Sequence, residues 1–593
     1  MITALHLGNF KAFGATQRIP IKPLTLIFGP NSAGKSTIIH SLALAHHAVE
    51  TGELDTQRTQ IGGESIDLGS FRQYVHRREA ERQVEIAFEI DPQRLSGQVA
   101  ALLHSARGVV VEAAIGAGFT SEQRTLFGAL AREIKPQGGA RVERFAIEVD
   151  GAPLLSISAR AGGRLRLDRL DHSHPVFRSR LDTAISLAAQ EYRPTSDESG
   201  LFEQVLDSLV PSVPIRATAL FPRIDKVPEH WGGPAFLPDE VLMGTVIGTR
   251  EDHLFNTARL FLPSVLSDFI NGLSGVIEEE IHRLRYLGPL RSYPPRHLAF
   301  SEHHDPNWFA GGGYAWDVVR TREEVRRRVN AWLGDPERLK TPYELKVRDL
   351  LPTTVLAAEL SEKVTAALQD LADALVSRLE GDQPAGLPAV FEELRHQLGE
   401  FVAKDQGDEV EGDPLASATD AEAIAERWVE EIVQARSEGL QDLVLVDKRS
   451  ATSVSHRDVG IGISQVLPVL VSAFASKEKL IAIEQPEIHL HPALQAELGD
   501  VFIESALGER RNTFLLETHS EHLILRILRR IRETAGGDLP EGATPITPDQ
   551  VAVVYVQPGK NGAEVIHIPV NEDGEFERPW PEGFFAERAR ELF

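Results

Sequence analysis

Eight consecutive residues near the start of the chain have the types and spacing of a phosphate-binding loop. They fit the pattern G-x-x-x-x-G-K-[ST] and read Gly29-Pro30-Asn31-Ser32-Ala33-Gly34-Lys35-Ser36. Such a loop points backbone N–H groups at an anion, at the N-terminus of a helix. We expect Lys35 to reach the β- and γ-phosphates of a nucleotide and Ser36 to place its hydroxyl on Mg²⁺. The predicted nucleotide-binding residues of this segment are Gly29, Asn31, Ser32, Ala33, Gly34, Lys35, Ser36 and Thr37.

The residues on both sides of this loop predict the context that a phosphate site requires. Leu24 to Phe28 is an apolar, β-prone run, which indicates a strand directly before the loop. The residues from Thr37 to Leu44 contain no helix breaker, which indicates a helix directly after it. A strand, a glycine-rich loop and a helix in this order distinguish a phosphate site from a chance glycine-rich turn.

Three segments near the C-terminus carry polar residues where a strand ends or a helix begins. Lys479 to Glu484 is an apolar run ending in a carboxylate, and we expect Glu484 to hold Mg²⁺ opposite the P-loop hydroxyl. Asn512 to Ser520 predicts a second strand with a polar end. Strand ends of this kind bind ligands in open α/β sheets. The glycine-rich run Asp458 to Gln465 opens a predicted helix over residues 466–474, whose start suits an anion.

Together these motifs resemble the ABC-type ATPases of the SMC, RecF and OLD (overcoming lysogenization defect) group. The Walker B strand of that group and the segment after it resemble Glu484-Gln485-Pro486-Glu487-Ile488-His489-Leu490-His491-Pro492. The resemblance places the signature serine at Ser464, beside Gly462, and the switch histidine at His519. It covers residues 1–90 and 457–593, and within the insertion the loop from Tyr286 to Arg296 also looks similar to those members. The tail resembles an uncharacterised C-terminal domain of some bacterial members.

The resemblance implies a fold, cofactors and a mechanism. The implied fold class is α/β: an ABC-type P-loop ATPase head built from N- and C-terminal segments, with a large mixed α+β and helical insertion. The implied cofactors are ATP and Mg²⁺, with Ser36 and Glu484 as the metal ligands. Ser464 of a second head would close over the γ-phosphate, so each composite site would need two chains in a head-to-tail dimer or a higher oligomer.

One position departs from the pattern of this group. Most members carry a glutamate directly after the Walker B acid, where it polarises the attacking water, and here that residue is Gln485. An amide orients water but accepts no proton. Two alternatives stay open: Gln485 faces the water and hydrolysis is slow, or Glu487 acts in its place. A Q-loop glutamine is also implied, and the candidates are Gln57, Gln60 and Gln73.

Motifs and composition divide the chain into four predicted parts. They are an N-terminal ATPase lobe (1–90), a mixed insertion (91–439), a C-terminal ATPase lobe (440–540) and a small C-terminal domain (541–593). Within the insertion, Asp150-Gly151 between two β-prone runs predicts a hairpin. The same region contains an acidic loop at 405–413 and predicted helices at 260–283, 353–379 and 421–437.

The composition of the 593-residue chain excludes several classes of protein. The absence of cysteine rules out disulfides, thiol catalysis and cysteine-ligated metal sites, and it suits the cytoplasm. No signal-peptide pattern and no apolar run of the ~20 residues that span a bilayer occur, so we expect a cytoplasmic protein without a membrane partner. The formal charge of −25 weighs against non-specific nucleic-acid binding, although a local basic groove is compatible with it.

Two arginine groups and two histidine groups are weaker candidates for function. The arginines are predicted on two helices and are Arg322, Arg326, Arg327, Arg328 and Arg526, Arg529, Arg530, Arg532. Glu323 and Glu324 precede two of them by four residues, which favours ion pairs on a solvated face over nucleic-acid contact. Neither histidine group has a third ligand at recognisable spacing, so no metal site is predicted at His489 with His491 or at His303-His304-Asp305.

Three functional classes fit these observations. We favour a cytoplasmic regulatory ATPase, an ATP-gated head dimer that controls a separate effector protein, with antiphage defence suggested by analogy alone. The alternative is a RecF- or SMC-like DNA-repair ATPase that binds DNA, against which the net charge weighs. A transporter ATPase subunit fits least, because the insertion is large and no Leu-Ser-Gly-Gly-Gln signature occurs.

Overall fold

The structure is a computed structural model, and it describes residues 2–117, 139–160, 163–178, 204–225, 250–291, 307–335, 338, 340–350, 356–366, 369, 428–429, 432, 440–454 and 461–581. The chain divides into two compact units. The first contains residues 1–293, 303–341 and 457–593, and the second contains residues 294–302 and 342–456. Among the helices of these described ranges, none is long and apolar enough to cross a membrane.

The strands are numbered along the chain. They are β1 (Ile2–Gly8), β2 (Gln17–Pro20), β3 (Leu24–Phe28), β4 (Val84–Ile90), β5 (Val109–Gly116), β6 (Arg141–Val149), β7 (Ala152–Ala159), β8 (Leu165–Leu170), β9 (Ile215–Arg216), β10 (Arg223–Ile224), β11 (Leu284–Leu287), β12 (Tyr343–Leu350), β13 (Leu440–Asp447), β14 (Thr452–Val454), β15 (Leu480–Glu484), β16 (Thr513–Glu517), β17 (Val551–Gly559) and β18 (Gly562–Ile568). The helices are α1 (Lys35–Thr51), α2 (Phe71–Tyr74), α3 (Gly97–Leu103), α4 (Arg250–His282), α5 (Tyr314–Thr321), α6 (Glu323–Gly334), α7 (Ile461–Ala475), α8 (Pro492–Leu507) and α9 (Glu521–Gly536).

A six-stranded sheet of the first unit positions the predicted site. Its order is β11-β15-β16-β3-β17-β18, and every neighbouring pair is parallel except β17 with β18. All five residues of β3, of β15 and of β16 are buried. Strands of a parallel sheet read as continuous apolar runs because both faces are covered. The carboxyl ends of these three strands therefore meet at one edge, where the P-loop and the predicted carboxylate lie.

Two antiparallel sheets account for most other strands. The first unit also contains a seven-stranded sheet of order β2-β1-β4-β5-β6-β7-β8. The predicted hairpin is confirmed, since β6 and β7 pair around Asp150 and Gly151, both in the left-handed region. In the second unit, β12, β13 and β14 form a three-stranded antiparallel sheet.

The helix after the P-loop, α1, has a glycine in the left-handed conformation at each end. Gly34 caps α1 at its start with a φ of 105°, and Gly52 caps its end with a φ of 80° and an N–H that donates to the carbonyl of Ala48. Both backbone conformations favour glycine. The predicted strand before the loop and the predicted helix after it are therefore confirmed, and α1 packs against α4.

The predicted part boundaries at residues 90 and 541 are wrong as boundaries between folded units. β4 ends at Ile90 and pairs along its length with β5, so the seven-stranded sheet continues across the first boundary. β17 lies after the second boundary and pairs with the P-loop strand β3, so the tail completes the central sheet. Pairing between distant chain segments fixed both arrangements, and no local composition change marks them.

Several predicted helices have other limits in the structure. The helix predicted at 260–283 begins ten residues earlier, as α4, and the helix predicted at 466–474 begins at Ile461, as α7. Of the helix predicted at 353–379, the described residues 356–366 are helical. The acidic loop at 405–413, nearly all of the predicted helix at 421–437 and the His303-His304-Asp305 group lie outside the described residues.

Candidate nucleotide-binding site

The P-loop follows the carboxyl end of β3 and leads into α1. Gly29 has a φ of 144°, and a Cβ there would lie 2.1 Å from the carbonyl oxygen of Val556, so only glycine fits. The Nζ of Lys35 donates to the carbonyl oxygens of Gly29 (3.0 Å) and Pro30 (2.9 Å). Burial lowers the pKa of Lys35. Three glutamates act in the opposite direction, and Glu517 has the largest effect of the three. The lysine is therefore held over the loop, with neutral partners that a phosphate can replace.

Two carboxylates face the P-loop serine. Glu484 ends β15 and Glu517 ends β16, and the two residues are register neighbours in the sheet. The Ser36 hydroxyl lies near both carboxyls and acts to lower the pKa of each. Burial first, and repulsion from Glu517 second, raise the pKa of Glu484 to about 7. The pKa of Glu517 is also raised, with burial as the main cause.

This carboxylate pair fits a hard divalent cation. The Oε2 atom of Glu517 is buried without a hydrogen-bond partner in the described structure, which is an unsatisfied position for an acceptor-only group. Among the described residues there is no group of three or more His, Cys, Asp or Glu that could hold a metal alone. Mg²⁺ is usually bound by one or two carboxylates together with substrate phosphates. The residues that could hold it here are Ser36, Glu484 and Glu517.

The Glu487 side chain is hydrogen-bonded to the two residues that follow β16. Its carboxylate accepts hydrogen bonds from the hydroxyl of Thr518 (2.8 Å) and from the backbone N–H of His519 (2.7 Å). Burial raises the pKa of Glu487. His519 is half-buried, and burial together with the Lys35 charge lowers its pKa, which keeps the imidazole neutral. Both residues thus lie at the P-loop edge of the sheet.

Gln485 occupies a strained turn directly after the predicted metal ligand. Its φ is 47°, in the left-handed region that non-glycine residues rarely adopt. Its N–H donates to the carbonyl oxygen of Glu517 at 2.7 Å. Such conformations persist where the surrounding structure imposes them, and they are frequent at functional sites.

Two buried side chains of the 286–296 segment, to which the sequence assigned no role in the site, support this turn. Arg291 is 6% exposed and donates to the carbonyl oxygens of Gln465 (2.9 Å), Glu484 (3.4 Å) and Gln485 (3.1 Å). Burial lowers the pKa of Arg291 to about 10. The Tyr286 hydroxyl donates to Oε1 of Glu484 at 2.9 Å. Both residues come from the segment at and after β11, nearly 200 residues before β15, so no local pattern could connect them.

The predicted signature residues lie at the start of α7. Gly462 is close to the segment after β15, since a Cβ on it would lie 3.1 Å from the carbonyl oxygen of His489. Ser464 is 3% exposed within this chain, although the resemblance implies that it contacts a phosphate of another head. The start of the glycine-rich run, residues 458–460, lies outside the described residues.

The arginine groups are engaged in ion pairs and backbone hydrogen bonds. Arg526 pairs with Glu497 and Asp500, and Arg530 pairs with Asp500 and Glu533. In the other group, Arg327 pairs with Glu323 as predicted. The predicted pair of Glu324 with Arg328 is wrong, because these residues pair instead with Arg510 and Glu509. These contacts weigh against either group as a nucleic-acid surface.

Three protein families match separate parts of the chain. Residues 4–111 match a family described as "AAA domain", and residues 270–526 match one described as "AAA domain, putative AbiEii toxin, Type IV TA system". Residues 546–593 match a family described as "Protein of unknown function (DUF3696)". No curated protein matches the chain.

The solved structures that resemble the chain include SMC head domains. The head domain from Thermotoga maritima is 8% identical with a TM-score of 0.31 and covers 96% of this chain and 99% of its own. The Pyrococcus furiosus head with an extended coiled coil, bound to the C-terminal domain of ScpA, is 10% identical with a TM-score of 0.32 and covers 100% and 98%. At these scores the likeness carries no argument about function.

The family matches and the site agree on the class of protein. One AAA match contains the P-loop, and the other contains the predicted Walker B strand and the predicted switch histidine. The central sheet brings these two segments of the chain together. The fold is α/β, with a head built from N- and C-terminal segments. The AAA-domain matches of residues 4–111 and 270–526, together with the α/β fold and the P-loop, indicate a P-loop ATPase.

Proposed function

We propose that this chain is a regulatory ATPase whose heads associate when ATP is bound and separate after hydrolysis, and which thereby controls a separate effector protein. The observation that carries the ATPase half is the arrangement of Ser36 between Glu484 and Glu517, opposite Lys35. The regulatory half, with antiphage defence as its setting, rests on the AbiEii-type family description and on analogy.

The residues divide the work of ATP binding and hydrolysis. Lys35 leaves its two carbonyl partners for the β- and γ-phosphates. Ser36, Glu484 and Glu517 would hold Mg²⁺, and the ion would supply positive charge beside the phosphates. Gln485 orients the attacking water without accepting its proton. Glu487 keeps His519 in place, because the Glu487 carboxylate accepts a hydrogen bond from the backbone N–H of His519.

Head association completes the site in this proposal. Ser464 of one head caps the γ-phosphate held by the other, so the first turn of α7 has to become accessible when two heads meet. The contact through Arg291 joins this helix to the strand end that carries Glu484 and Gln485. Closure and water positioning are therefore linked by one side chain.

A Lys35→Ala variant tests the nucleotide site. We expect loss of measurable ATP binding in a calorimetric titration, because the variant removes the main positive charge on the β- and γ-phosphates. The matched control is Lys560→Ala, at an exposed lysine in the turn between β17 and β18. Unchanged ATP affinity in Lys35→Ala would contradict the assignment.

The DNA-repair alternative is tested with the same preparation. Steady-state ATP hydrolysis is measured with and without double-stranded DNA at low and at physiological salt. A regulatory ATPase with its own effector gives the same rate in both cases. A DNA-dependent rise that weakens with salt, as phosphate contacts do, would favour the alternative.

A further inference from the structure

A basic cavity opens beside the P-loop helix in the first unit, and its walls contain none of the proposed ATP or Mg²⁺ ligands. Its volume is about 460 Å³, and its walls are Lys11, Asp67, Leu68, Gln73, Val75, Arg77 and Arg78. Of the three Q-loop candidates, Gln73 is the one that lines this cavity. The cavity thus lies next to the nucleotide site but draws its walls from the loops after β1 and around α2.

The positive charge of this cavity is not neutralised. In the described part of the chain, no carboxylate forms an ion pair with Lys11, Arg77 or Arg78. The one acidic wall residue, Asp67, accepts a hydrogen bond from the backbone N–H of Gly69. Burial outweighs the attraction of Asp67 and lowers the pKa of Lys11 to about 8. Three cations and one carboxylate line this cavity, which is unexpected in a chain of net charge −25.

The walls are fixed to each other before any ligand arrives. The N–H of Lys11 donates to the carbonyl oxygen of Tyr74 at 2.6 Å, and the N–H of His76 donates to that of Asn9 at 2.8 Å. Lys11 has a φ of 45°, and the consecutive residues Arg77 and Arg78 have φ values of 56° and 59°. Left-handed conformations at non-glycine residues are kept where the structure imposes them, often at ligand-binding positions.

We propose that this cavity binds the phosphate group of a ligand other than the ATP held at the P-loop. A phosphate suits it because the arginine fork matches phosphate oxygens and a lysine adds a point charge. The Gln73 amide supplies a further donor. The phosphate belongs either to a nucleic-acid strand or to a small free phosphate compound, and both present the same chemistry to these side chains.

A buried histidine connects the cavity to the metal carboxylates. His40 lies on α1, one helical turn after Ser36. Its Nδ1 accepts a hydrogen bond from the Nζ of Lys11 at 2.8 Å, which leaves Nε2 as the protonated nitrogen. That Nε2 lies 3.8 Å from Oε1 of Glu484. An anion that draws Lys11 into the cavity therefore changes the contact that His40 makes with Glu484, and with it the rate of hydrolysis.

The binding test uses the full chain with the P-loop saturated by a non-hydrolysable ATP analogue. The probes are a twelve-nucleotide single-stranded oligothymidylate and inorganic pyrophosphate, titrated calorimetrically at low salt. We expect at least one probe to bind wild type, and to bind Arg77→Gln/Arg78→Gln at least tenfold more weakly, with ATP-analogue affinity unchanged. The control is Arg94→Gln/Arg216→Gln, which removes two exposed arginines that are paired with Asp91 and Asp225.

Two outcomes would overturn the binding site. The first is that neither probe binds wild type, or that both probes bind wild type and Arg77→Gln/Arg78→Gln equally well. The second is that the ATP analogue displaces the bound probe, in which case the cavity is part of the ATP site. The probes are also titrated without nucleotide, so binding at the cavity is tested even if the chain does not bind ATP. Failure to bind ATP would contradict the proposed function and would leave the result for the cavity standing.

The link through His40 has its own readout, which rests on the proposed ATPase. We expect the bound probe to change the ATPase rate of wild type at least twofold, and His40→Gln to bind the probe and the ATP analogue normally but to lose the rate change. A His40→Gln protein that retains the full rate change would show that the cavity does not act on Glu484 through this side chain.

Discussion

At the scale of the residue, the proposal assigns the rate of ATP hydrolysis to the residue at the water-facing position. Gln485 follows the metal ligand directly, and its backbone is held in a left-handed turn. The rival base, Glu487, already accepts from Thr518 and His519. An acceptor that holds two donors in a buried site is poorly placed to collect a proton from water as well. We therefore propose Gln485, rather than Glu487, as the residue nearest the attacking water.

Gln485→Glu is expected to speed hydrolysis. It introduces a base at the water-facing position, and a positioned base is worth roughly 10²–10⁴-fold in rate. Glu487→Gln is expected instead to destabilise the protein by about 1–3 kcal/mol, since an amide nitrogen replaces an acceptor facing buried donors. Steady-state ATPase rates and thermal unfolding of the two variants separate these effects. A Gln485→Glu rate at or below wild type, with Glu487→Gln inactive but stable, would reverse the assignment.

The raised pKa of Glu484 predicts a pH dependence of metal binding. Below about pH 7 this carboxyl is largely protonated in the free protein, so Mg²⁺ has to displace a proton. We expect the apparent Mg²⁺ affinity, measured calorimetrically with saturating ATP, to rise by up to about tenfold per pH unit between pH 5.5 and 7 and then to level off. Glu484→Gln should bind Mg²⁺ weakly at every pH, whereas Glu572→Gln, at an exposed acid, should follow wild type.

The same shift makes the free protein less stable as pH rises. The folded-state pKa of Glu484 lies above the usual value of 4.5 for a glutamate, so between pH 4.5 and 7 this carboxyl binds more protons in the folded state than in the unfolded state. The free energy of unfolding therefore falls across that window, and excess Mg²⁺ with ATP should remove the decline. A wild-type stability that rises from pH 5 to pH 7 to the same degree as that of Glu484→Gln would contradict this sign.

At the scale of the element, the sequence predicted the strands that carry the site almost residue for residue. The runs at β3, β15 and β16 are apolar throughout, because the parallel sheet covers both faces, and each ends in a polar or glycine-rich segment. The helix start at α7 was predicted five residues late, because Gly462 and Ser464 were assigned to a loop. Propensity is a weak guide to such ends, since tertiary packing overrides it.

What the sequence could not provide are the partners contributed by distant elements. Glu517 was visible at the end of a predicted strand, but its place beside Glu484 depends on the order β15-β16-β3, which no local pattern encodes. Tyr286 and Arg291 reach the site only because β11 pairs with β15. These residues are recognised by their burial and by the groups they contact, and both become known only with the fold.

Arg291 should affect turnover more than nucleotide affinity. Its guanidinium holds three carbonyl oxygens of α7 and of the strand end, and none belongs to the P-loop. We expect Arg291→Gln to lower kcat at least tenfold with little change in the KM for ATP, and Arg291→Lys to recover part of kcat because it keeps a charged donor. Arg327→Gln, at an exposed ion-paired arginine, is the control. Equal losses in kcat and in ATP affinity would indicate a general structural role.

At the scale of the whole molecule, one chain holds every residue of the P-loop side of the site. The predicted signature residue Ser464 belongs to the same chain, and it is buried at the start of α7. The proposed dimer resolves this arrangement by pairing the P-loop of one copy with Ser464 of the other. A two-fold axis makes both sites equivalent, and each of them depends on both chains.

Mixing two inactive variants tests this reciprocity. Lys35→Ala loses the phosphate lysine, and Ser464→Arg keeps the P-loop but places a bulky cation where the second head should close. Each variant alone should be inactive, and ATP binding by Ser464→Arg in calorimetry shows that it is folded. In an equimolar mixture, half of the dimers contain both variants, and each of these has one intact composite site, with Lys35 from one chain and Ser464 from the other. Recovery of about a quarter of the wild-type rate is therefore expected from two-fold symmetry. If each chain instead completes its own site, the mixture has no intact site and stays inactive at every ratio.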